Sequence, residues 1–241
     1  MGTRISPGFT IIEVMLFLAV TGLMVAGIMS SATGSLNAQR YRDGVESIRS
    51  AIAVEYDRVY SLTNSRDTAD PCDPALTVRT WGTSECFYSG RLLEIVDGGA
   101  ALKVSPVVAK VRDERESEMT ARYSFEQVEG TSEPRAFNGG LLAVRPGGDE
   151  PTAMAILILR SPTDGAVVTY NLLTSALNSV PYNNLGASID HPTSSNEPAQ
   201  FCVADPDGPL DPGVRQAIVI NKSATSAGDI ETRMGDGDPE C

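Results

Sequence analysis

The sequence predicts an α+β fold in which a long N-terminal helix packs on a C-terminal antiparallel β-rich domain. Residues 9–62 contain no proline and carry apolar residues at helical spacing, which indicates one long helix. From residue 75 onward, short apolar runs alternate with turn residues, which is typical of strands. The order of a helix followed by strands predicts the α+β class.

Composition excludes several classes of function. The chain has 241 residues, enough for one or two domains, and 41% of them are hydrophobic, which excludes global disorder. Its net charge of −12 disfavours a broad cationic surface, so no direct nucleic-acid binding is expected. The single histidine, His191, argues against a multi-histidine metal site or a Cys/His zinc module.

The N-terminal part of the predicted helix has the length of a membrane span. Residues 9–39 carry one charge, Glu13, and the apolar run from Phe9 to Met29 is about long enough to cross a bilayer at ~1.5 Å per residue. A secretory signal peptide is the rival interpretation, but its charged region leads straight into the apolar stretch. Here a carboxylate interrupts the entrance, which favours a retained membrane helix.

Glu13 needs a physical reason, because an ionised side chain in the apolar region of a membrane is costly and usually marks function. If the chain were cut between Gly8 and Phe9, the new α-amino group would lie four residues before Glu13, about one helical turn. That amine, or the same amine of a neighbouring subunit, could pair with the carboxylate.

The run Gly8 to Leu16, GFTIIEVML, resembles the processing signature of type IV pilins and type II secretion pseudopilins. The resemblance implies that a prepilin peptidase removes residues 1–8 and methylates the amine of Phe9. It implies further that the subunit is held in the membrane and assembled by pilus or secretion machinery, with other pilin subunits as partners of the helix. The resemblance covers residues 4 to about 62. A weaker one, at Cys202-Val203 and at residues 215–220, is to the minor pseudopilin and FimT-like minor pilin group.

The helix departs from the family in one respect. Pilins commonly carry a helix-kinking proline, and none lies between Phe9 and Leu62. Gly22, Gly27 and Gly34 each disfavour helix by ~1 kcal/mol relative to alanine, so we expect local loosening near Gly22 instead.

Beyond residue 35 the helix becomes amphipathic and is expected to lay an apolar stripe on the globular domain. The stripe consists of Tyr41, Val45, Ile48, Ile52, Val59 and Leu62. The predicted organisation is a leader (1–8), a transmembrane and polymerisation helix (9–35), an amphipathic helix (36–63) and a β-rich domain with disulfides (64–241).

Eight apolar runs of the β-rich domain predict strands, arranged as one antiparallel sheet or two small ones. Asp97-Gly98-Gly99 between two of them predicts a hairpin. The tail from Asn183 onward is expected to be loops held between few strands. The predicted strands are 76–81, 86–96, 101–111, 121–128, 141–144, 153–159, 167–173 and 214–220.

Cys72, Cys86, Cys202 and Cys241 are expected to form two disulfides, because the helix would place them outside the cytoplasm and none lies in a C-x-x-C pair. Three pairings are possible. Cys72 with Cys86 and Cys202 with Cys241 are favoured, because sequence neighbours close loops at low entropic cost, and the second pair would tie down the C-terminus.

No catalytic site or cofactor is expected. Asp205, Asp207 and Asp211, and the acidic run of residues 235–240, are weak calcium candidates, since neither fits an EF-hand and Asp with Gly and Pro is ordinary turn chemistry. His191 lacks a nucleophile elbow and is assigned to a surface loop. Trp81, Phe87 and Tyr88 are assigned to core packing rather than to a contact patch.

The predicted function is that of a structural subunit, a minor pilin or pseudopilin, which polymerises and is not an enzyme. It would be a single-pass membrane protein with an extracytoplasmic domain and then part of a periplasmic or extracellular filament. One alternative is a membrane-anchored adhesin or enzyme that does not polymerise. Another is a secreted binding protein cleaved near residues 26–38.

Overall fold

The computed structural model describes residues 10–61, 86–111, 113, 115–116, 122–128, 134–161, 164–173, 198–206, 215–221, 224–234 and 241. The protein is α+β, as the sequence predicts: a long N-terminal helix is followed by antiparallel sheets. The chain divides into two compact units, Met1–Arg42 and Asp43–Cys241.

The helix α1 extends over Ile11–Tyr60, 50 residues. It is continuous through Gly22, so the expected loosening at that glycine is wrong. The cost of ~1 kcal/mol for one glycine is small beside the cost of nucleating two separate helices, so the hydrogen-bonded ladder persists across it.

The predicted apolar stripe of α1 is buried wherever the structure describes it. Tyr41, Val45, Ile48, Ile52 and Val59 are each at most 4% exposed, and Leu62 lies outside the described residues. The same face also buries two residues that the sequence analysis left out, which are Glu55 and Tyr56. Within the second unit, α1 therefore packs with a face that is mostly but not wholly apolar.

The described strands form two antiparallel sheets, which confirms the second of the two predicted arrangements. The strands are β1 (Cys86–Val96), β2 (Ala101–Val111), β3 (Tyr123–Gln127), β4 (Arg135–Ala136), β5 (Leu142–Val144), β6 (Met154–Arg160), β7 (Val167–Leu173), β8 (Ala199–Ala204), β9 (Gln216–Ile220) and β10 (Ile230–Met234). In the first sheet the order is β3-β2-β1-β6-β7, with β4 paired to β2. The second sheet has the order β10-β9-β8-β5.

The predicted hairpin at Asp97-Gly98-Gly99 is confirmed, and its tip joins the two sheets. Asp97, Gly98 and Gly99 all have positive φ, at 54°, 62° and 86°. The carbonyl of Gly99 accepts a 2.8 Å hydrogen bond from the backbone N–H of Ala143 in β5. Since β1 and β2 belong to the first sheet and β5 to the second, this turn connects them.

The tail is richer in strand than predicted. The sequence analysis predicted a strand at 214–220, which overlaps β9, and singled out Cys202-Val203, which lie in β8, but it missed β10. Before the tail, it also missed the two-residue β4. In β10 all but the first residue are exposed, so no apolar alternation marks the strand, which exists because its backbone pairs with β9. The predicted strand at 76–81 lies outside the described residues.

The two faces of the first sheet differ in what they contact. One carries an apolar cluster that includes Leu92, Phe125 and Leu157. On the other face, Arg91 of β1, Ile158 of β6 and Thr169 of β7 lie side by side across three strands. This row faces α1, as the contacts of Arg91 with Glu55 and of Thr169 with Tyr56 show.

Candidate functional site

The first half of α1 exposes apolar side chains on every side. Apart from Glu13, every residue from 11 to 18 is apolar and between 47% and 77% exposed. These residues are Ile11, Ile12, Val14, Met15, Leu16, Phe17 and Leu18. Such a run covers more than one full turn and leaves no polar face. A helix that is apolar all round belongs in a membrane or inside a larger assembly. The helix is therefore a candidate membrane span, by its length and composition.

A hydroxyl within this apolar segment is satisfied by the helix itself. Thr21 Oγ1 donates to the carbonyl oxygen of Phe17 at 2.8 Å and lies 3.1 Å from that of Leu18. Bonding back to the preceding turn is how a threonine avoids an unpaired polar group where water is absent. Thr21 thus does not oppose placing this segment in lipid.

Glu13 lies in the first turn of α1, where the structure shows a role that the sequence analysis missed. Its backbone N–H donates to Thr10 Oγ1 at 3.3 Å, so Thr10 caps the helix. Thr10 and Glu13 have the Thr-x-x-Glu spacing of a capping box, a signal that was present in the sequence. A carboxylate in the first turn also interacts favourably with the helix dipole. Glu13 can therefore stabilise the helix end with or without an amine partner.

The predicted partner of Glu13 lies outside the described residues. Gly8 and Phe9, the two residues of the predicted cleavage site, are both in the segment before residue 10. Cleavage after Gly8, methylation of Phe9 and the pairing of its amine with Glu13 stay predictions.

One predicted disulfide is confirmed. Cys202 of β8 is bonded to Cys241, with their Cα atoms 5.7 Å apart. Cys202 is 1% exposed and lies in a small apolar cluster with Val144 and Ala204, against which Leu142 and Cys241 pack. The bond fixes the last residue of the chain to the second sheet. Cys86 begins β1 and Cys72 lies outside the described residues, so their pairing stays a prediction.

The remaining candidates are only partly described. Asp205 follows β8, whereas Asp207, Asp211, the acidic run at 235–240, His191 and Trp81 lie outside the described residues. Within the described part of the chain, no group of three or more His, Cys, Asp or Glu residues could hold a metal ion. The calcium candidates therefore stay predictions.

The two described aromatic residues near Cys86 differ in placement. Phe87 packs on the apolar cluster of the first sheet, with its ring edge-to-face on Tyr123 at a centroid distance of 5.6 Å, so its assignment to the core is confirmed. Tyr88 is 36% exposed, so its assignment to the core is wrong. The two side chains point to opposite faces of β1, which is why adjacent residues differ.

A polar network surrounds the last turns of α1. Glu55 is 2% exposed, and its Oε1 lies 2.6 Å from Arg58 Nη1 while its Oε2 lies 3.8 Å from Arg91 Nε. Arg160 Nη1 donates to the carbonyl of Tyr60 at 3.0 Å and so satisfies one of the carbonyls at the helix C-terminus.

Next to Glu55, the Tyr56 hydroxyl lies 2.9 Å from Thr169 Oγ1, and Thr169 Oγ1 donates to the carbonyl of Ala224 at 2.6 Å. Because the threonine hydroxyl has one proton, Tyr56 is the donor in the first bond. Burial raises the pKa of Tyr56 to about 12, and the Asp229 carboxylate acts in the same direction. Tyr56 therefore stays protonated and keeps its hydrogen bond over the physiological pH range.

The sequence analysis did not name Glu55, because the stripe was drawn from apolar residues alone. Its spacing gave a usable signal, since it follows Ile52 by three residues and precedes Val59 by four, and so shares their face.

Comparison with models of known protein families, with curated proteins and with solved structures finds no match for the chain.

Proposed function

We propose that this chain is a type IV pilin-like subunit, a minor pilin or a pseudopilin, which is held in a membrane by the first half of α1 and polymerises through it. The observation that carries the proposal is the exposure of apolar side chains on all sides of residues 11–29, with one acid, Glu13, in the first turn. The processing signature that surrounds Glu13 in the sequence supports the same conclusion.

The physical basis is the replacement of one apolar environment by another. Residues 11–29 have a length of ~28 Å as a helix, close to the ~30 Å apolar core of a bilayer. In a filament the same side chains would lose lipid contacts and gain contacts with the helices of neighbouring subunits. Polymerisation then needs no new apolar surface, because membrane storage and assembly use the same one.

Glu13 would make the contacts between the helices of neighbouring subunits specific for one register. An apolar helix can slide along another at little cost, but a carboxylate in a dry helix bundle requires a positive partner. Leaving such a charge unpaired costs about 3 to 5 kcal/mol. In the proposal the Phe9 amine, exposed by cleavage after Gly8, is that partner and sets the register between subunits.

The proposal is tested first by mass spectrometry of the mature chain isolated from membranes of cells that hold a prepilin peptidase. We expect an N-terminal N-methylated Phe9. The matched control is Gly8→Val, which places a bulky residue at the scissile bond and is expected to retain residues 1–8. A wild-type chain that keeps its first eight residues, or that begins near residues 26–38, would contradict the proposal.

The charge of Glu13 and its place in the helix cap can be separated. Glu13→Gln removes the charge but keeps a side chain that serves in a capping box, whereas Thr10→Ala removes the capping oxygen and keeps the charge. We expect Glu13→Gln and Glu13→Ala to be processed and inserted but poorly recovered in sheared filaments. Thr10→Ala is expected to assemble. Normal assembly of Glu13→Gln together with an assembly defect in Thr10→Ala would show that capping, not charge, is what matters.

The alternative, a membrane-anchored adhesin or enzyme that does not polymerise, predicts a different result when the N-terminal helix is replaced. Replacing residues 9–35 with an unrelated apolar helix that retains membrane insertion would leave such a protein active. A pilin-like subunit would lose assembly. Retention of filament assembly by this chimera would refute the proposed role of the helix.

A further inference from the structure

The sequence contains one Asn-Gly pair, Asn138-Gly139, and the structure places it on the surface beside α1. Residues Asn138–Gly140 form a short 3₁₀ turn between β4 and β5, and all three are exposed. Asparagine is thermolabile, because the backbone nitrogen of the next residue can attack its side-chain amide. Glycine is the most favourable next residue for this attack, since it has no Cβ to obstruct the approach. The pair is therefore a candidate site of covalent modification.

The nitrogen that would attack is accessible. The N–H of Gly139 lies in the first turn of the 3₁₀ segment, where a backbone N–H has no intrahelical acceptor, and no described residue is bonded to it. A Cβ added at Gly139 would meet no atom within 4 Å, so open space surrounds this residue. Little therefore opposes rotation of the peptide group that carries this nitrogen.

The amide that would be attacked is held by one exposed contact. Asn138 Nδ2 donates to Ser47 Oγ of α1 at 3.0 Å. Because the contact is exposed, water replaces either partner when it breaks, and releasing the amide costs little. The same contact means that any change at Asn138 takes place directly against the helix.

Two other described asparagines lack this combination of features. Asn171 lies within β7 and is followed by Leu172, which is 1% exposed and paired in the ladder with β6. Asn221 is followed by a lysine, and its Nδ2 donates to Glu231 Oε1 at 3.0 Å. Both asparagines therefore serve as internal references for Asn138.

We propose that Asn138 is a site of spontaneous modification, where the backbone nitrogen of Gly139 displaces ammonia from the side chain and water then yields isoaspartate or aspartate. In the first step a bond forms between the Gly139 nitrogen and Asn138 Cγ, and the bond from Cγ to Nδ2 breaks. The proton of the Gly139 nitrogen leaves with Nδ2 as ammonia. Water then opens the cyclic imide. Opening at the main-chain carbonyl gives isoaspartate, whose main chain runs through the former side chain, and opening at Cγ gives aspartate.

Isoaspartate would weaken the packing of this turn on α1, because it adds one methylene to the main chain. The turn is fixed on both sides. Before it, the N–H of Phe137 donates to the carbonyl of Ala100 at 2.8 Å. After it, Leu141 is buried against α1, so closely that a Cβ added at Gly44 would lie 2.5 Å from Leu141 Cδ1. The added length therefore displaces the turn or the leucine from the helix.

The site is tested by incubating the full-length chain in detergent at neutral pH and digesting samples with trypsin. Cleavage after Arg135 and Arg160 gives a peptide of residues 136–160, in which Asn138 is the only side-chain amide. We expect this peptide to gain the mass of amide hydrolysis and to separate into two products, with isoaspartate the larger. Conversion at Asn138 should be at least about tenfold faster than at Asn171, equivalent to ~1.4 kcal/mol in activation free energy.

Gly139→Ala and Gly140→Ala are the matched control variants. Both glycines have positive φ, at 77° and 72°, and open space around an added Cβ, so alanine strains the turn similarly at either position. Only Gly139 supplies the attacking nitrogen, so we expect slower conversion in Gly139→Ala and an unchanged rate in Gly140→Ala. Equal rates in these two variants, or conversion at Asn138 no faster than at Asn171, would overturn the proposal.

The effect on α1 is measured by urea unfolding of the incubated samples. Asn138→Gln is the control, since its longer side chain would have to close a larger ring and is expected to remain unmodified. We expect the unfolding free energy of the wild type to fall as conversion proceeds and that of Asn138→Gln to stay constant. Conversion without any loss of unfolding free energy would overturn the proposed effect on the helix contact.

Discussion

Replacing Thr169 by valine is expected to destabilise the protein more than replacing Tyr56 by phenylalanine, although the two side chains share one hydrogen bond. Tyr56→Phe removes a donor, and Thr169 still donates to the carbonyl of Ala224. Its cost is that of one net hydrogen bond, about 1 kcal/mol. Thr169→Val leaves the buried Tyr56 hydroxyl and the Ala224 carbonyl without partners. At ~1 to 3 kcal/mol for each of the two orphaned groups, the cost is about 2 to 6 kcal/mol.

The assay is urea unfolding of the full chain in detergent, followed by circular dichroism, with the same dependence on denaturant required of all variants. The double variant Tyr56→Phe with Thr169→Val is expected to be no less stable than Thr169→Val alone, because it removes the orphaned tyrosine hydroxyl. Additive losses, or a larger loss for Tyr56→Phe than for Thr169→Val, would refute the assigned direction of these hydrogen bonds.

The raised pKa of Tyr56 predicts that the protein loses stability at high pH. That pKa is about 12 in the folded protein against 10.0 for an ordinary tyrosine. Because the folded-state pKa is raised, the stabilisation is fully present below pH ~10 and is lost as pH rises toward ~12. This difference in pKa corresponds to about 3 kcal/mol of unfolding free energy. The difference in unfolding free energy between the wild type and Tyr56→Phe should therefore shrink or change sign across this window, and a constant difference would contradict the assignment.

Two further predictions concern the β domain. Reduction of the Cys202–Cys241 bond, whose residues are 39 apart in sequence, is expected to lower the unfolding free energy by about 4 kcal/mol, measured by urea unfolding with and without reductant. An equal loss in Cys202→Ala with Cys241→Ala attributes it to this bond. Gly99→Ala is expected to destabilise more than Gly98→Ala, since both have positive φ but only at Gly99 would the added Cβ meet the carbonyl of Ala143. Equal melting temperatures for these two variants would show that the hairpin tip tolerates displacement from β5.

The extent to which the sequence predicted the fold depends on how local each signal is. The bounds of β1, β2 and β7 agree with the predicted runs, because each run is rich in apolar and β-branched residues, and the turn Asp97-Gly98-Gly99 marks where β1 ends and β2 begins. The strand β10 gave no such signal, since its pairing is made by the backbone while its side chains remain in solvent.

The sequence by itself determined the long helix, its apolar first half and its buried stripe. These follow from periodicity and spacing, which depend on the positions of residues along the chain. It favoured the pairing of Cys202 with Cys241 among three possible ones, and the structure decided that pairing. Only the tertiary structure decided which partners the buried Glu55 and Tyr56 meet, because Arg91 and Thr169 come from distant strands. The spacing of Glu55 places it on the buried face of the helix, but its partner depends on which strands the fold brings beside the helix, and no local pattern carries that information.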